Sequence, residues 1–297
     1  DVKEIGLNPG TAARCVDVCS ARNVPLGRDN WRGRRIISGK WRGQTWDDLR
    51  VRARVLRRYS PRVWRRKITQ MTSFSATTSR TQILIEDGPI KLHGCLDVPP
   101  ETDGLVLFAH SSGSGRHSPR NQQVAEVLQD KGLATLLFDL LTEEEERKDT
   151  ESGRLRSDIP FLADRLRLAT AWTRNDPELA GLPLGYFGAS TGAAAALIAA
   201  AQVGNRVRAV VSRSGRPDLA GEALSQVRAS TLLIVGSEDP AVMALNQNAS
   251  VQVRTEKWLE VVPGASHLFE EPGTLDAAAE LAGLWFWAHF AAKRRTA

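Results

Sequence analysis

The chain has 297 residues, of which 42% are hydrophobic and 25% charged, with a formal net charge of +6. This length and apolar content suffice for the core of at least one globular domain. No apolar run reaches the roughly 18 residues of a membrane span, so no membrane partner is expected. Cys15, Cys19 and Cys95 are too few and too scattered for a disulfide framework or a zinc site, so we expect a cytoplasmic protein without a metal.

The first eighty residues differ from the rest of the chain in charge. They contain nineteen Lys and Arg against six Asp and Glu, and residues 81–297 are therefore net acidic. They also hold four of the eight tryptophans but few aliphatic runs. We expect residues 1–75 to be a basic N-terminal extension that is disordered or not native to an enzyme starting at Met71. Nucleic-acid binding is the less favoured interpretation. Residues 76–297 are the predicted folded domain.

Strands and helices are predicted to alternate from Thr81 onward. The segment Glu86-Asp87-Gly88 joins two strands and is typical of a hairpin turn. The predicted strands span residues 82–85, 90–96, 104–109, 134–138, 182–187, 207–211, 230–235 and 258–262. The predicted helices span residues 119–131, 158–173, 193–201 and 274–290. This alternation predicts an α/β fold with a mostly parallel central sheet and helices on both faces.

Two loops of the predicted domain bear on access to a site at the strand ends. Only about twenty residues separate the strand that ends at Val211 from the one that starts near Thr231, which leaves no room for a large cap domain. The other loop, residues 141–148, is densely acidic. We expect a solvated helix start there, with acids near the positive end of the helix dipole. A mobile flap over the site is the alternative.

The segment Gly188-Ala189-Ser190-Thr191-Gly192 follows an apolar strand and opens a run of small residues from Ala193 to Ala201. A strand, a G-x-S-x-G turn and a helix form the context in which a serine becomes an exposed nucleophile. The glycines permit the tight turn, and the alanines let the helix pack closely against the sheet. A plain turn is the alternative, because glycine and serine are common in loops.

A serine nucleophile needs a base, and the base needs a carboxylate that orients it. Asp239 follows the strand that starts near Thr231, and His267 follows the strand that ends at Val262. We therefore predict a triad of Ser190, Asp239 and His267, in the chain order typical of this chemistry. Taken singly, Asp239 could be a helix N-cap and His267 a surface histidine. Glu238 and, more weakly, Asp218 are the competing acids.

A glycine-rich loop at residues 110–117 follows the strand at 104–109. Small residues there let backbone N–H groups approach a developing alkoxide. We predict an oxyanion hole from the N–H of Thr191 and one N–H from Ser111 or Ser112. Nucleotide binding is disfavoured, because neither Gly-x-Gly-x-x-Gly nor Gly-Lys-Ser/Thr is present.

These motifs identify a resemblance. Residues 81–290 resemble the dienelactone hydrolase-like branch of the α/β-hydrolases, through the segments Phe108–Gly115, Gly188–Gly192 and Pro263–Phe269. The resemblance implies an α/β-hydrolase catalytic domain that performs acyl transfer without a cofactor. Its nearest counterpart is a bacterial subgroup that is sometimes fused to phosphoribosyltransferase domains. Dienelactone hydrolases use a cysteine nucleophile, whereas this chain has Ser190, which favours ordinary carboxylic esters.

Three arginines near the predicted strand ends are candidates for binding an anionic substrate group. Arg116 lies in the loop of residues 110–117, and Arg213 and Arg216 follow the strand at residues 207–211. The alternative is that they pair with Asp218, Asp239 or Glu238, or face water.

The predicted function is a serine carboxylesterase acting on small esters or lactones through an acyl-enzyme. Two alternatives stay open. One is a hydrolase of amides or thioesters, and the other is a non-catalytic hydrolase-fold partner of another enzyme. The expected partner is a small-molecule ester, and the oligomeric state is open.

Overall fold

The computed structural model describes residues 79–291, so the predictions for the basic extension, Cys15 and Cys19 lie outside the described residues. Within this range the strands are β1 (Ser79–Asp87), β2 (Ile90–Val98), β3 (Gly104–Ala109), β4 (Leu133–Phe138), β5 (Leu184–Ala189), β6 (Val207–Arg213), β7 (Ser230–Gly236) and β8 (Lys257–Val262). The α-helices are α1 (Pro119–Gln129), α2 (Glu143–Ser152), α3 (Ile159–Asn175), α4 (Thr191–Val203), α5 (Pro240–Gln252) and α6 (Thr274–Ala291). No described helix is both long and apolar enough to cross a membrane.

The eight strands form one sheet in the order β1-β2-β4-β3-β5-β6-β7-β8. Strand β2 pairs antiparallel with β1 and with β4, and the pairs from β4 to β8 are parallel. The predicted hairpin is present, with Gly88 at φ 56° in its turn. The predicted mostly parallel sheet is therefore confirmed.

Helices cover both faces of the sheet, as β3 illustrates. Leu105 and Leu107 pack into the core beneath α3 and α4, whereas Val106 and Phe108 pack into the core beneath α1 and α6. All six residues of β3 are buried, because a parallel strand between two helical layers has no solvent face. Helix α4 is largely buried and rich in alanine, which lets it lie close to the sheet.

The β6–β7 connection and the acidic loop of residues 141–148, which we expect to bear on access to the site, have the predicted structure. In the described part of the chain, the connection from β6 to β7 holds only a short 3₁₀ segment, Pro217–Gln226, and no cap domain. The acidic run starts α2, where the Thr142 hydroxyl accepts from the Glu145 N–H and the Glu145 carboxylate accepts from the Thr142 N–H. This capping box stabilises the first turn, so the acidic run is a helix start.

Candidate active site

Ser190 stands on a strained turn between β5 and α4. Its backbone has φ 50° and ψ −120°, a conformation that L residues rarely adopt and that is concentrated at functional sites. A Cβ at Gly188 would lie 2.4 Å from the Ala193 Cα, and one at Gly192 would lie 2.1 Å from the Ala109 carbonyl oxygen. Both glycines of the motif are therefore required by backbone contacts that leave no space for a side chain.

The loop after β6 holds this turn from the other side. The Ser190 N–H donates to the Arg213 carbonyl at 3.2 Å, and the Ser190 carbonyl accepts from the Arg216 N–H at 3.1 Å. Two hydrogen bonds to a neighbouring strand end thus fix the backbone that carries the Ser190 side chain.

The loops after β7 and β8 bring an acid and a histidine together. The Asp239 Oδ2 lies 2.6 Å from the Nδ1 of His267. The loops meet because Gly236 has no side chain, since a Cβ there would lie 2.1 Å from the Ala265 carbonyl oxygen. A carboxylate only accepts, so Nδ1 carries the hydrogen and Nε2 is left as a base.

Asp239 also caps α5, because its Oδ1 accepts from the Val242 N–H at 3.3 Å. Asp239 can therefore be both the helix N-cap and the acid of the triad, because Oδ1 caps the helix and Oδ2 contacts His267. The competing acids are engaged elsewhere: Glu238 bonds to the Ser237 hydroxyl at 3.0 Å, and Asp218 pairs with Arg216.

A cleft of about 270 Å³ joins these groups at the carboxyl ends of the parallel strands. Ser190 and His267 both line it, together with residues of the loop after β3. All three predicted oxyanion residues lie at this cleft: Ser111, Ser112 and Thr191. The N–H of Thr191 belongs to the first residue of α4, at the positive end of the helix dipole.

A chain of hydroxyl contacts ties the loop after β3 to the Ser190 turn. The Ser112 N–H donates to the Thr191 Oγ1 at 3.1 Å, and the two hydroxyl oxygens lie 3.3 Å apart. The Ser112 hydroxyl donates to the Arg156 carbonyl at 2.6 Å. Because that hydrogen is used, the Thr191 hydroxyl is the donor between the two hydroxyls. The predicted oxyanion loop is thus held in register with the nucleophile turn.

The three candidate arginines have different surroundings. Arg116 forms an ion pair with Asp139 and Arg216 with Asp218, and neither lines the cleft. Each of these two charges is already neutralised by a carboxylate, and for Arg216 the partner is Asp218, one of the acids named in the alternative. A role of either arginine in substrate binding stays a prediction. Arg213 does line the cleft.

Comparison with known proteins identifies the family of the chain. No family model matches the chain. The crystal structure of dienelactone hydrolase from Anabaena variabilis is 54% identical, covers 71% of this chain and 98% of its own, and superposes with a TM-score of 0.70. The chain belongs to the dienelactone hydrolase family. It is accordingly a hydrolase of the α/β class.

Two further proteins are similar to this chain, one in fold and one in sequence. Est1E from Butyrivibrio proteoclasticus is 17% identical with a TM-score of 0.59, covering 71% of this chain and 99% of its own. A curated protein of Mycobacterium tuberculosis, provisionally named a phosphoribosyl transferase, is 55% identical over 208 residues. That match covers 70% of this chain, which spans only 46% of the length of the relative.

His110, at the start of the loop after β3, is a residue to which the sequence analysis gave no role. It is almost fully buried, and its Nε2 accepts from the Leu140 N–H at 3.1 Å. Its Nδ1 must then carry the hydrogen and donate to the Ser111 carbonyl at 3.1 Å. The neutral ring therefore positions the loop that carries the predicted oxyanion donors.

Low pH should destabilise the folded protein through His110, which is buried in its neutral form. Burial lowers the pKa of His110, against smaller raising effects of the Ser111 carbonyl, Asp139 and Glu146. Below about pH 6.5 the unfolded chain therefore binds a proton that the folded chain does not, and stability falls as pH falls. We expect the free energy of unfolding, measured in urea, to fall between pH 7.5 and pH 5.5. The fall should be smaller for H110Q than for the wild type, by up to about 1.4 kcal/mol per pH unit. The half-buried His93, replaced as H93Q, is the control, and equal slopes for the wild type and H110Q would contradict the assignment.

Proposed function

We propose that this chain is a serine hydrolase of small carboxylic esters or lactones, with Ser190 as nucleophile, His267 as base and Asp239 as orienting acid. One observation carries the proposal. Ser190, on its strained turn, and His267, bound to Asp239 at 2.6 Å, line the same cleft. Nucleophile, oriented base and backbone donors in one cleft are what acyl transfer requires.

In the first half of the reaction, the Ser190 Oγ attacks the carbonyl carbon of the ester and its proton passes to the His267 Nε2. The carbonyl oxygen becomes an alkoxide, which the N–H groups of Thr191 and Ser111 stabilise, since the Ser112 N–H already donates to the Thr191 Oγ1. The alkoxide then reforms the carbonyl, the alcohol leaves with the proton from His267, and the acyl group stays on Ser190. Asp239 stabilises the imidazolium that forms meanwhile.

In the second half, water attacks the acyl carbon and gives its proton to the His267 Nε2. The tetrahedral intermediate collapses, the carboxylic acid leaves, and the proton returns to the Ser190 Oγ. This cycle consumes one water for each ester and needs no redox step. The same residues could cleave an amide or a thioester, so these two bonds are the alternative substrates of the proposed reaction.

The open cleft should favour small acyl groups. With only the short 3₁₀ segment Pro217–Gln226 between β6 and β7, little apolar surface is available for a long acyl chain. We expect kcat/KM to be highest on p-nitrophenyl acetate or butyrate and to fall for chains beyond about eight carbons. Faster turnover of long-chain triglyceride emulsions would contradict the open cleft.

A second assay on the full chain compares the ester, the thioester and the anilide of butyrate. The substrate that is turned over fastest identifies the type of bond that the protein cleaves.

The name of the mycobacterial relative raises a second candidate, phosphoribosyl transfer. Because this chain spans 46% of that relative, we propose that the name concerns the part that the chain does not cover. A hydrolase-fold module that only assists another enzyme is the related alternative. Labelling by a fluorophosphonate separates hydrolysis from the non-catalytic alternative, since such a probe phosphonylates only an activated serine, with loss of fluoride. Labelling that S190A abolishes supports hydrolysis, and an unlabelled wild type supports the non-catalytic alternative.

A further inference from the structure

We propose that Asp149 is a positioning residue for the oxyanion hole, which acts through the Arg156 carbonyl and the Ser112 hydroxyl. The inference rests on the proposed function and adds to it a residue that lies outside the cleft. It starts from helix α2, which contains no hydrophobic side chain and buries only Asp149. A helix without an apolar face cannot be held in place by hydrophobic packing, so its polar contacts set its position.

Asp149 is a carboxylate enclosed by the chain that follows its own helix. Only 1% of its surface is exposed. Its Oδ1 accepts from the Ser152 hydroxyl and from the Leu155 N–H, both at 2.9 Å. Its Oδ2 accepts from the Arg156 N–H at 3.0 Å and from the Arg156 Nε at 2.9 Å. A carboxylate has about four acceptor sites, so Asp149 is fully used by the turn that leads to Arg156.

These hydrogen bonds keep the buried group charged. Burial alone would raise the pKa of Asp149, but the hydrogen bonds from Arg156, Leu155 and Ser152 outweigh this effect and hold the pKa below its ordinary value. A buried charge is costly to leave without its partners, so the turn of residues 152–156 is fixed around the carboxylate. The position of the Arg156 backbone therefore depends on Asp149.

The Arg156 carbonyl connects this turn to the loop after β3. It accepts from the Ser112 hydroxyl at 2.6 Å, and the Ser112 N–H donates to the Thr191 Oγ1 at 3.1 Å. Ser111, which precedes Ser112, and Thr191 carry the two proposed oxyanion N–H groups. A shift of the Arg156 carbonyl would therefore move the Ser111 N–H relative to Ser190.

Two further contacts hold the same loop. The His110 ring donates to the Ser111 carbonyl at 3.1 Å, and the Arg116 N–H donates to the Asp139 carboxylate at 2.8 Å. With these contacts intact, loss of the Ser112 contact should displace the Ser111 N–H and leave the loop folded. A misplacement on the order of 1 Å can cost about 10² in rate, so even a small shift is measurable in kcat.

A purely structural role for Asp149 is the competing explanation. Removing a buried carboxylate lowers stability under either explanation, so stability alone cannot decide between them. The two explanations differ in kcat, and they also differ in whether the effect of Asp149 needs the Ser112 hydroxyl. That hydroxyl is exposed and contributes nothing to the core, so it can be removed without a large change in stability.

The first test compares S112A and S112T with the wild type on p-nitrophenyl butyrate, using the full chain. S112A keeps the N–H of residue 112, so its kcat should fall by roughly tenfold, less than the 10²- to 10³-fold cost of losing an oxyanion donor. KM should stay within about twofold, because the oxyanion hole acts on the alkoxide more than on the bound ester. S112T keeps the hydroxyl and should recover kcat to within about threefold of the wild type. A wild-type kcat for S112A, or a kcat of S112T no higher than that of S112A, overturns the proposal.

The second test asks whether Asp149 acts through Ser112. D149N has the same shape, but its amide nitrogen faces two of the donors, so kcat should fall about tenfold, as in S112A, with little change in KM. The double variant S112A/D149N should be less than about threefold slower than either single variant, because the contact is already lost. A fall of roughly 100-fold in the double variant, as independent effects would give, overturns the proposal.

R156Q keeps the test decisive if D149N does not fold. It removes the Nε donor to Asp149 and keeps the backbone N–H of residue 156. We expect R156Q to lower kcat by about threefold or more in the wild type and by less than about twofold in S112A. Equal effects in the two backgrounds would contradict a route through Ser112.

The control is D158A, in the segment that follows the turn. The exposed Asp158 carboxylate caps α3 by accepting from the Phe161 N–H at 3.0 Å. D158A should lower the melting temperature through loss of the cap and keep kcat within about twofold of the wild type. A fall in kcat as large as that of D149N would indicate general loosening of the segment and overturn the proposal.

S190A separates this inference from the proposed function. If S190A abolishes hydrolysis while S112A and D149N have the kcat of the wild type, the positioning role is rejected and the proposed function stands. If S190A keeps the hydrolysis, the proposed function fails and the positioning role fails with it.

Discussion

Replacing Ser190 with alanine is expected to lower kcat on p-nitrophenyl butyrate by about 10⁶, to the background set by the remaining donors. The reason is that no other group in the proposed cycle forms the covalent acyl intermediate. The melting temperature should change little, because alanine is compatible with the close contacts around the turn and both backbone hydrogen bonds to the loop after β6 are kept.

Ser225 offers a matched control, since it is half-buried and its hydroxyl bonds only to the Glu222 carbonyl in the 3₁₀ segment. S225A should keep kcat within about twofold of the wild type, as surface substitutions usually do. If S190A retained more than a few per cent of the activity while folded, Ser190 would not be the nucleophile.

The sequence was sufficient to predict the elements that rest on local patterns. Strands β3, β4 and β7 were predicted to within one residue from their apolar runs, because helices cover both of their faces. Strand β5 begins and ends two residues later than predicted. The turn of Ser190 was predictable because both motif glycines are required by close backbone contacts. The pairing of His267 with Asp239 followed from chain order, since parallel strands bring their carboxyl ends to one edge.

The features that the sequence did not reveal depend on partners far away in the chain. Arg116 pairs with Asp139, just after β4, an acid that was not among the partners considered for it. The role of His110 depends on an N–H thirty residues downstream, at Leu140. For helix α5, the sequence indicated only a candidate N-cap at Asp239. The buried face of this helix holds Val242, Asn246 and Ala249, and this apolar pattern is too weak to predict a helix.

Replacing Asp239 with asparagine is the sharpest test of how the proposed base works. An asparagine can turn its amide nitrogen, a donor, towards the His267 Nδ1, which must then accept. The hydrogen moves to Nε2, and the imidazole can no longer take the proton of Ser190. We expect D239N to lower kcat by about 10⁴ with little change in KM. The fold should be kept, because an asparagine oxygen can still cap α5 at the Val242 N–H.

Glu238, the neighbouring acid, provides the control. Its carboxylate bonds to the Ser237 hydroxyl and not to His267, so E238Q should change kcat by less than about threefold. The two variants remove the same charge one residue apart, so their general electrostatic effects on the cleft are similar. A large difference between them must then come from the tautomer of His267. If E238Q proved the more damaging variant, the acid would be Glu238, and the contact of 2.6 Å between Asp239 and His267 would serve structure alone.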